Sequence, residues 1–271
     1  MNEIPVSVVV GTYNRLSFLK ATIDTIRKEL DNIDHEIIIV DGGSDDGTTK
    51  WLTEQKDIIS IIQHNRGKWL GKTIERKSWG YFMNLGFRAA SGKYICMLSD
   101  DCLVIQGAIK NGVRLFDREL AAGKKIGAVA FYWRNWPEQQ NYWVGLTWGN
   151  KMFVNHGLYL RKGLEDVSFI DPKNYFFYHA DGDLSMRLWG TGYTCIDSPD
   201  SYIEHFSEAN APVRASNLAR QREDWNTYTK RWAKLGKPNK DWIEKSFVDK
   251  QNTAGKYWTG VRVRVLRRFG K

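Results

Sequence analysis

The carboxylates best placed for chemistry in this chain stand where apolar runs end. Ile37-Ile38-Ile39-Val40 passes directly into Asp41-Gly42-Gly43-Ser44-Asp45-Asp46-Gly47-Thr48, and Tyr94 to Leu98 passes into Ser99-Asp100-Asp101. An apolar run without interior charge suits a parallel strand covered on both faces. The Gly, Ser and Asp cluster behind it permits backbone that closes tightly around a ligand. Ligands of open α/β sheets bind at the carboxyl edge of the strands. The first loop therefore reads as the floor of a nucleotide site, with Asp41 able to accept hydrogen bonds bidentately and Asp45 and Asp46 capping the loop. Asp100 and Asp101 fall at the same edge.

Positioning those groups requires alternating elements, and the pattern supplies them. Val6 to Val10 predicts a buried strand, and Leu16, Leu19, Ile23, Ile26 and Leu30 then recur as one helical stripe. Gly47 to Glu54 reads as a short helix, Ile58 to Gln63 as a strand, Tyr81 to Ala90 as a helix and Tyr94 to Leu98 as a strand. This alternation predicts an α/β fold, a doubly wound, mostly parallel sheet. Asn65 to Trp79 is a basic loop bearing Arg66, Lys68, Lys72, Arg76 and Lys77. Further on, Gln106 to Ala122 is helical, Ile126 to Tyr132 strand-like, Trp133 to Trp148 an aromatic loop or hairpin, and Met152 to Arg161 a strand. Asp183 to Trp189 reads as a helix capped by Asp183, Tyr202 to Phe206 as a last strand, and Ala215 to Leu235 as a polar helix.

Composition narrows the class. At 271 residues, 42% hydrophobic and 26% charged, the chain is an ordinary globular protein rich in Trp, Tyr and Phe, with 12 of each. Met1 to Pro5 carries no secretion-signal pattern, and no stretch approaches the roughly 18 apolar residues needed to cross a bilayer. Cys96, Cys102 and Cys195 are odd in number and lack metal-ligand spacing, which favours neither a disulfide framework nor a zinc site and suits a reducing cytoplasm. A net charge of +9 predicts an anionic partner. Residues 256–271 concentrate Lys256, Arg262, Arg264, Arg267, Arg268 and Lys271 among Tyr257, Trp258 and Phe269. That mixture suits a peripheral anchor on the anionic, cytosolic face of a membrane.

Four segments in one order carry a resemblance: Val8-Val9-Val10-Gly11-Thr12-Tyr13-Asn14-Arg15, Ile39 to Thr48, Asn84 to Tyr94, and Leu98-Ser99-Asp100-Asp101. Together they resemble a family 2 glycosyltransferase of the GT-A fold. The resemblance covers roughly residues 4 to 208. It implies a catalytic domain over 1–208, with a Rossmann-like nucleotide-sugar half (1–101) and an acceptor half (102–208), followed by a helical and basic extension over 209–271. It implies transfer of a sugar from a nucleoside diphosphate (UDP, dTDP or GDP) to a hydroxyl of a glycan or lipid-linked acceptor. Inversion and a divalent cation, Mn²⁺ or Mg²⁺, come with it, and cell-surface polysaccharide or glycolipid synthesis is the expected setting.

Residue by residue, Thr12, Tyr13, Asn14 and Arg15 match the family's nucleotide-contacting loop, although Gly11 stands where proline is common. Asp41 matches the acid that accepts from base or ribose, its plainer use being to cap the Gly42-Gly43 turn. Asp101 matches the last acid of the metal-binding Asp-x-Asp motif, whose first acid is here Ser99. Asp100 is a second ligand candidate or a helix cap. Arg66, Lys72 or Arg76 could close over the phosphates. In Tyr178-His179-Ala180-Asp181-Gly182-Asp183-Leu184, Asp181 matches the general base, with Asp183 as rival and Ala180 replacing the family's Glu. His205 sits where such enzymes complete the metal shell; His156 and His179 are weaker candidates. Trp133, Trp136, Trp143 and Trp148 suit either an acceptor platform or core packing.

Two other classes compete. A nucleotidyltransferase also pairs a nucleotide-binding half with a metal Asp, but would begin with a Gly-rich phosphate loop that Thr12-Tyr13-Asn14-Arg15 lacks. A basic, aromatic nucleic-acid-binding module accounts for charge and composition, yet strand-end acids would repel phosphate and no recognition motif is present, so no nucleic acid is expected as a partner.

Overall fold

The computed structural model describes residues 5–65, 67–206, 215, 217–238 and 242–245. The first half alternates as the pattern predicts: β1 (Val6–Thr12), α1 (Leu16–Glu29), β2 (His35–Asp41), α2 (Thr48–Thr53), β3 (Ile58–Ile62), α3 (Trp79–Ala89) and β6 (Tyr94–Ser99). Strands β3, β2, β1 and β6 lie side by side and parallel, in that order. The register pairs Thr12 with Asp41 and Gly11 with Ser99, so three loops leave the sheet at one edge.

Both faces of this half are covered, which is why its strands are continuous apolar runs. Val6, Val8 and Val10 face a cluster with Leu19, Ile23 and Ile26 of α1, while Val9 faces Met83 and Phe87 of α3. Each such side chain contributes roughly 1.5–3 kcal/mol by leaving water. Gly86 lets α3 approach closely: a Cβ there would lie 2.4 Å from Val9 Cγ1.

The second half adds β7 (Cys102–Val104), α4 (Ala108–Ala121), β8 (Ile126–Asn135), β9 (Tyr142–Thr147), β10 (Lys151–Met152), β11 (Gly157–Leu160), α5 (Arg161–Asp166), α6 (Ala180–Gly190) and β12 (Thr194–His205). β11 enters the sheet antiparallel between β6 and β8. β12 runs parallel to β8 along its length, and its end pairs antiparallel with β7. With β13 (Trp242–Lys245), these strands form an 11-stranded sheet among the described residues, with a curled second half. The buried Glu29 carboxylate joins the halves, accepting from the amides of Gly107, Ile109 and Lys110 at the start of α4.

Several elements depart from the sequence-based expectation. The basic loop contains a short hairpin, β4 (Lys68–Trp69) with β5 (Lys72–Thr73). Met152 to Arg161 is two strands, not one, and the last strand begins eight residues before Tyr202 because β8 offers it a long parallel partner. α6 starts at Ala180 with a left-handed His179 before it, so Asp183 lies inside the first turn and does not cap the helix. Beyond residue 208, α7 (Gln221–Trp232) packs against the end of the cleft, and β13 (Trp242–Lys245) adds an antiparallel neighbour to β9. Residues 256–271, the basic aromatic tail, lie outside the described residues. Among the described residues no helix is long and apolar enough to cross a membrane.

Candidate active site

At the carboxyl edge of β1, β2 and β6 opens a cleft of about 570 Å³, lined by Thr12, Tyr13, Gly42, Ser99, Asp100 and Asp101 on the sheet side. The opposite wall is made by residues 176–179, Asp181 and the start of α7.

The floor is a network of buried charge. Arg15 reaches back from the first turn after β1 and places NH1 2.8 Å from Asp100 Oδ1 and 2.8 Å from Asp101 Oδ2. Thr12 Oγ1 donates to Asp100 Oδ2 at 2.8 Å. The β7–β12 register sets His205 opposite Cys102, so His205 Nε2 stands 3.3 Å from Asp101 Oδ1. Burial alone would raise the Asp101 carboxyl, but His205 and Arg15 outweigh it and hold it well below the ordinary carboxylate range. Asp100 moves the other way: burial raises it, against the pull of Arg15, and the charge on Asp101 adds to the rise. Both oxygens of Asp100 are engaged, which leaves Asp101 as the better cation ligand of the two. Asp101 Oδ1 is buried with no hydrogen-bond partner. A buried carboxylate oxygen that makes no hydrogen bond and stands 3.3 Å from an imidazole nitrogen suits a divalent cation, so the residues present fit such an ion through Asp101 and His205.

On the acceptor side, Asp181 lines the cleft from the first turn of α6, its Oδ2 accepting from Asn155 Nδ2 at 2.7 Å and its Oδ1 from the Gly182 amide at 2.8 Å. Asp183 does not reach the cleft. It is fully buried, with Oδ2 taking Arg187 Nε at 2.7 Å and Oδ1 taking Trp232 Nε1 at 2.9 Å, Tyr175 Oη at 3.1 Å and Arg231 NH1 at 3.1 Å. A carboxylate so enclosed holds α6 to α7 and cannot meet an acceptor hydroxyl, so the rival base is set aside in favour of Asp181.

The wall preceding α6 depends on α7. Asp224, 2% exposed, accepts from the amides of Phe176, Phe177 and Tyr178 at 2.8, 2.9 and 2.8 Å. His179 stacks on Tyr228 at 5.2 Å, and burial pushes its imidazole below the ordinary range against the pull of Asp181 and Asp224.

The other predicted residues divide. Tyr13 lines the cleft, while Asn14, in the left-handed region at φ 51°, ties the first loop to the second: its amide donates to Ser44 Oγ and its Oδ1 accepts from the Asp45 amide. Asp41 is fully buried and turned inward, accepting from Ser44 Oγ at 2.5 Å, Ser44 N at 3.1 Å and Thr49 Oγ1 at 2.8 Å. Its carboxylate caps the glycine turn, and Gly42 presents bare backbone to the cleft in its place. Lys72 is exposed on the β4–β5 hairpin away from the lining, whereas Arg76 and Lys77 reach it. Arg66 lies outside the described residues. Of the tryptophans, Trp133 lines the cleft and contacts Trp143, with ring centroids 3.9 Å apart, while Trp148 is buried against Trp225. Sequence reasoning missed Asn65, Asn155 and Gln221 in the lining. A polar Asn155-His156 pair inside an aromatic stretch was the one available signal.

Comparison with known proteins agrees with this geometry. Residues 7–177 match the family described as glycosyl transferase family 2. The chain is 29% identical to chondroitin synthase of Escherichia coli over 99 residues, which cover 35% of this chain and 13% of that protein. Among solved structures, it superposes on the mannosyltransferase PcManGT from Pyrobaculum calidifontis in complex with GDP-Man and Mn²⁺ with a TM-score of 0.60 at 18% identity, covering 85% of this chain and 65% of that one. S. aureus TarS 1–349 in complex with UDP gives a TM-score of 0.53 at 15% identity, covering 73% of this chain and 60% of that one. The chain thus spans less than two thirds of each of these relatives. The likeness to these structures shows the GT-A fold, and the match over residues 7–177 shows that the chain belongs to glycosyl transferase family 2.

Proposed function

We propose that this enzyme moves a sugar from a nucleoside diphosphate to an acceptor hydroxyl with inversion at the anomeric carbon, assisted by a divalent cation. The observation that carries the reading is one cleft that joins the strand-end groups Tyr13, Asp101 and His205 to a carboxylate, Asp181, on the facing wall. The GDP-Man and Mn²⁺ of the mannosyltransferase and the UDP of TarS support a nucleoside diphosphate as the ligand class.

The diphosphate lies over the strand ends, where Arg76 and Lys77 supply positive charge from the lining. Asp181 takes the proton of the acceptor hydroxyl as its oxygen bonds to the anomeric carbon. The bond from that carbon to the diphosphate oxygen breaks on the opposite side, and its electron pair leaves with the nucleoside diphosphate. A base and a leaving group on opposite walls give a single displacement, hence inversion. Asp101 and His205 would hold the cation, which when bound stabilises the charge gathering on the departing diphosphate. Arg15 keeps Asp101 ionised and fixed for that task. The chondroitin synthase likeness supports a glycan as the acceptor class; a lipid-linked acceptor and cell-surface polymer synthesis on the cytosolic face belong to the same proposal.

The test is calorimetric titration with UDP, dTDP, GDP and CDP in Mn²⁺ and in chelator. One nucleotide is expected to bind in a metal-dependent way and to lose that dependence in Asp101→Asn. Failure of every nucleotide to bind wild type in Mn²⁺ would overturn the reading, and release of pyrophosphate during turnover would replace it with nucleotidyl transfer.

A further inference from the structure

Beneath the cleft, three strands bring together donors that no sequence spacing links. Cys102 begins β7, His205 ends β12 as its cross-strand partner, and His156 stands just before β11 with its carbonyl bonded to the Phe131 amide of β8. The ligand atoms of Cys102, His156 and His205 all lie within 4.8 Å of one another. Cys102 and His156 are fully buried, and Asp101 Oδ1, outside this group of three, stands 3.3 Å from His205 Nε2.

We propose that Cys102, His156 and His205 form the core of a binding site for a borderline-soft divalent transition ion of the Zn²⁺ or Co²⁺ type, with the Asp101 carboxylate turning from His205 to the ion as fourth donor. The proposal shares Asp101 and His205 with the glycosyl-transfer reading above and rests on it for its consequence, though not for its donor set.

Three observations carry it. Among the described residues, the polar contact of His156's ring nitrogens is Cys102 Sγ, at 3.9 Å from each, too long and too weak a partner to satisfy a buried imidazole. Asp101 Oδ1, also buried, has no hydrogen-bond partner. Two adjacent buried polar groups with such weak contacts, His156 to Cys102 Sγ and Asp101 Oδ1 to His205 Nε2, are costly as core filler and useful as ligands. The spacing also fits. Donors about 2.0–2.3 Å from a tetrahedral ion stand roughly 3.3–3.8 Å apart, so side-chain rotations bring the Cys102, His156 and His205 atoms, now within 4.8 Å of one another, to coordination distance.

Charge and donor chemistry favour the same class of ion. Arg15 already balances Asp100, so a divalent ion balanced by the Asp101 carboxylate and a Cys102 thiolate leaves the buried group neutral, with the thiol proton displaced to solvent on binding. Thiolate and imidazole select zinc-like ions over Mg²⁺ or Mn²⁺, which prefer oxygen. Four protein donors make a closed shell, so such an ion is held without nucleotide and competes with a hard cation for Asp101 and His205.

The decisive experiment is titration of the full-length, metal-free protein with Co²⁺ alone, followed by absorption. The expected result is one Co²⁺ per chain with an intense four-coordinate visible spectrum and a thiolate-to-cobalt charge-transfer band. That band should vanish in Cys102→Ser and persist in Cys195→Ala, and Co²⁺ affinity should fall at least tenfold in His156→Gln. A wild-type spectrum with only weak six-coordinate bands, or a charge-transfer band that survives in folded Cys102→Ser, overturns the proposal. Because the wild-type spectrum is itself decisive, a poorly folding variant does not rescue it. Nucleotide titration in Mn²⁺ separates the two readings: nucleotide binding without a cobalt–thiolate band removes only this site, and the band without nucleotide binding removes only the transfer site.

Discussion

Asp181 and Asp183 share the first turn of α6, yet one lines the cleft and the other is enclosed by Tyr175, Arg187, Arg231 and Trp232. Their conservative variants should therefore separate. Asp181→Asn is expected to lower turnover by about 10²–10⁴ while nucleotide affinity and melting temperature hold, the scale of a lost general base. Asp183→Asn should instead lower stability, by about 3–5 kcal/mol if the buried ion pair is broken outright, as read in denaturant unfolding. His179 gives a pH signature. Burial depresses its imidazole in the folded state, so below the ordinary imidazole range the unfolded chain binds more protons than the folded one. Stability should be full above about pH 6.5 and fall as pH drops below it, and His179→Gln should flatten that part of a melting-temperature profile. At this scale the sequence was legible where residues stand at strand ends in order, as with Tyr13, Asp101 and His205, and at the opening of α6 with Asp181. It was silent where a side chain's partners arrive from afar. Asp41 turns inward because Thr49 and Ser44 meet it, and Cys102 meets His156 across 54 positions with no shared motif.

Elements in the first half were legible because two covered faces write themselves as unbroken apolar runs, and because Leu16 to Leu30 repeats at helical spacing. The second half was harder: β12 is long because β8 pairs with it, not because its own residues, which include Pro199 and four acidic or hydroxyl neighbours, prefer extension. α7 was visible as a polar helix, but not its task. Its Asp224 holds three consecutive amides of the cleft wall, an arrangement that needs no signature at residues 176–178. Asp224→Ala should therefore loosen the wall, costing at least one charge-assisted hydrogen bond, about 1.5–3 kcal/mol. The acceptor KM should rise more than the nucleotide Kd, a split that steady-state kinetics beside calorimetry would resolve; an equal rise in both would place Asp224 in general folding only.

The molecule as a whole carries +9, and part of that charge belongs to residues 256–271. If those residues anchor the enzyme, their deletion should weaken sedimentation with vesicles containing anionic lipid, most visibly at low salt, and leave nucleotide binding unchanged. Equal sedimentation of the full and shortened chains would reject the anchor.

The position of β12 bears on how this protein can be divided. The family likeness ends at residue 177, but β12 begins at Thr194 and is the strand that shields both β7 and one side of β8. A fragment cut where the likeness ends would lose Asp181 and His205 together. It would also leave Ile126–Asn135, apolar along most of its length, as an open template for pairing with another copy. Such a fragment is expected to associate with itself before it binds any ligand, and supplying residues 178–245 in trans is the natural way to restore it.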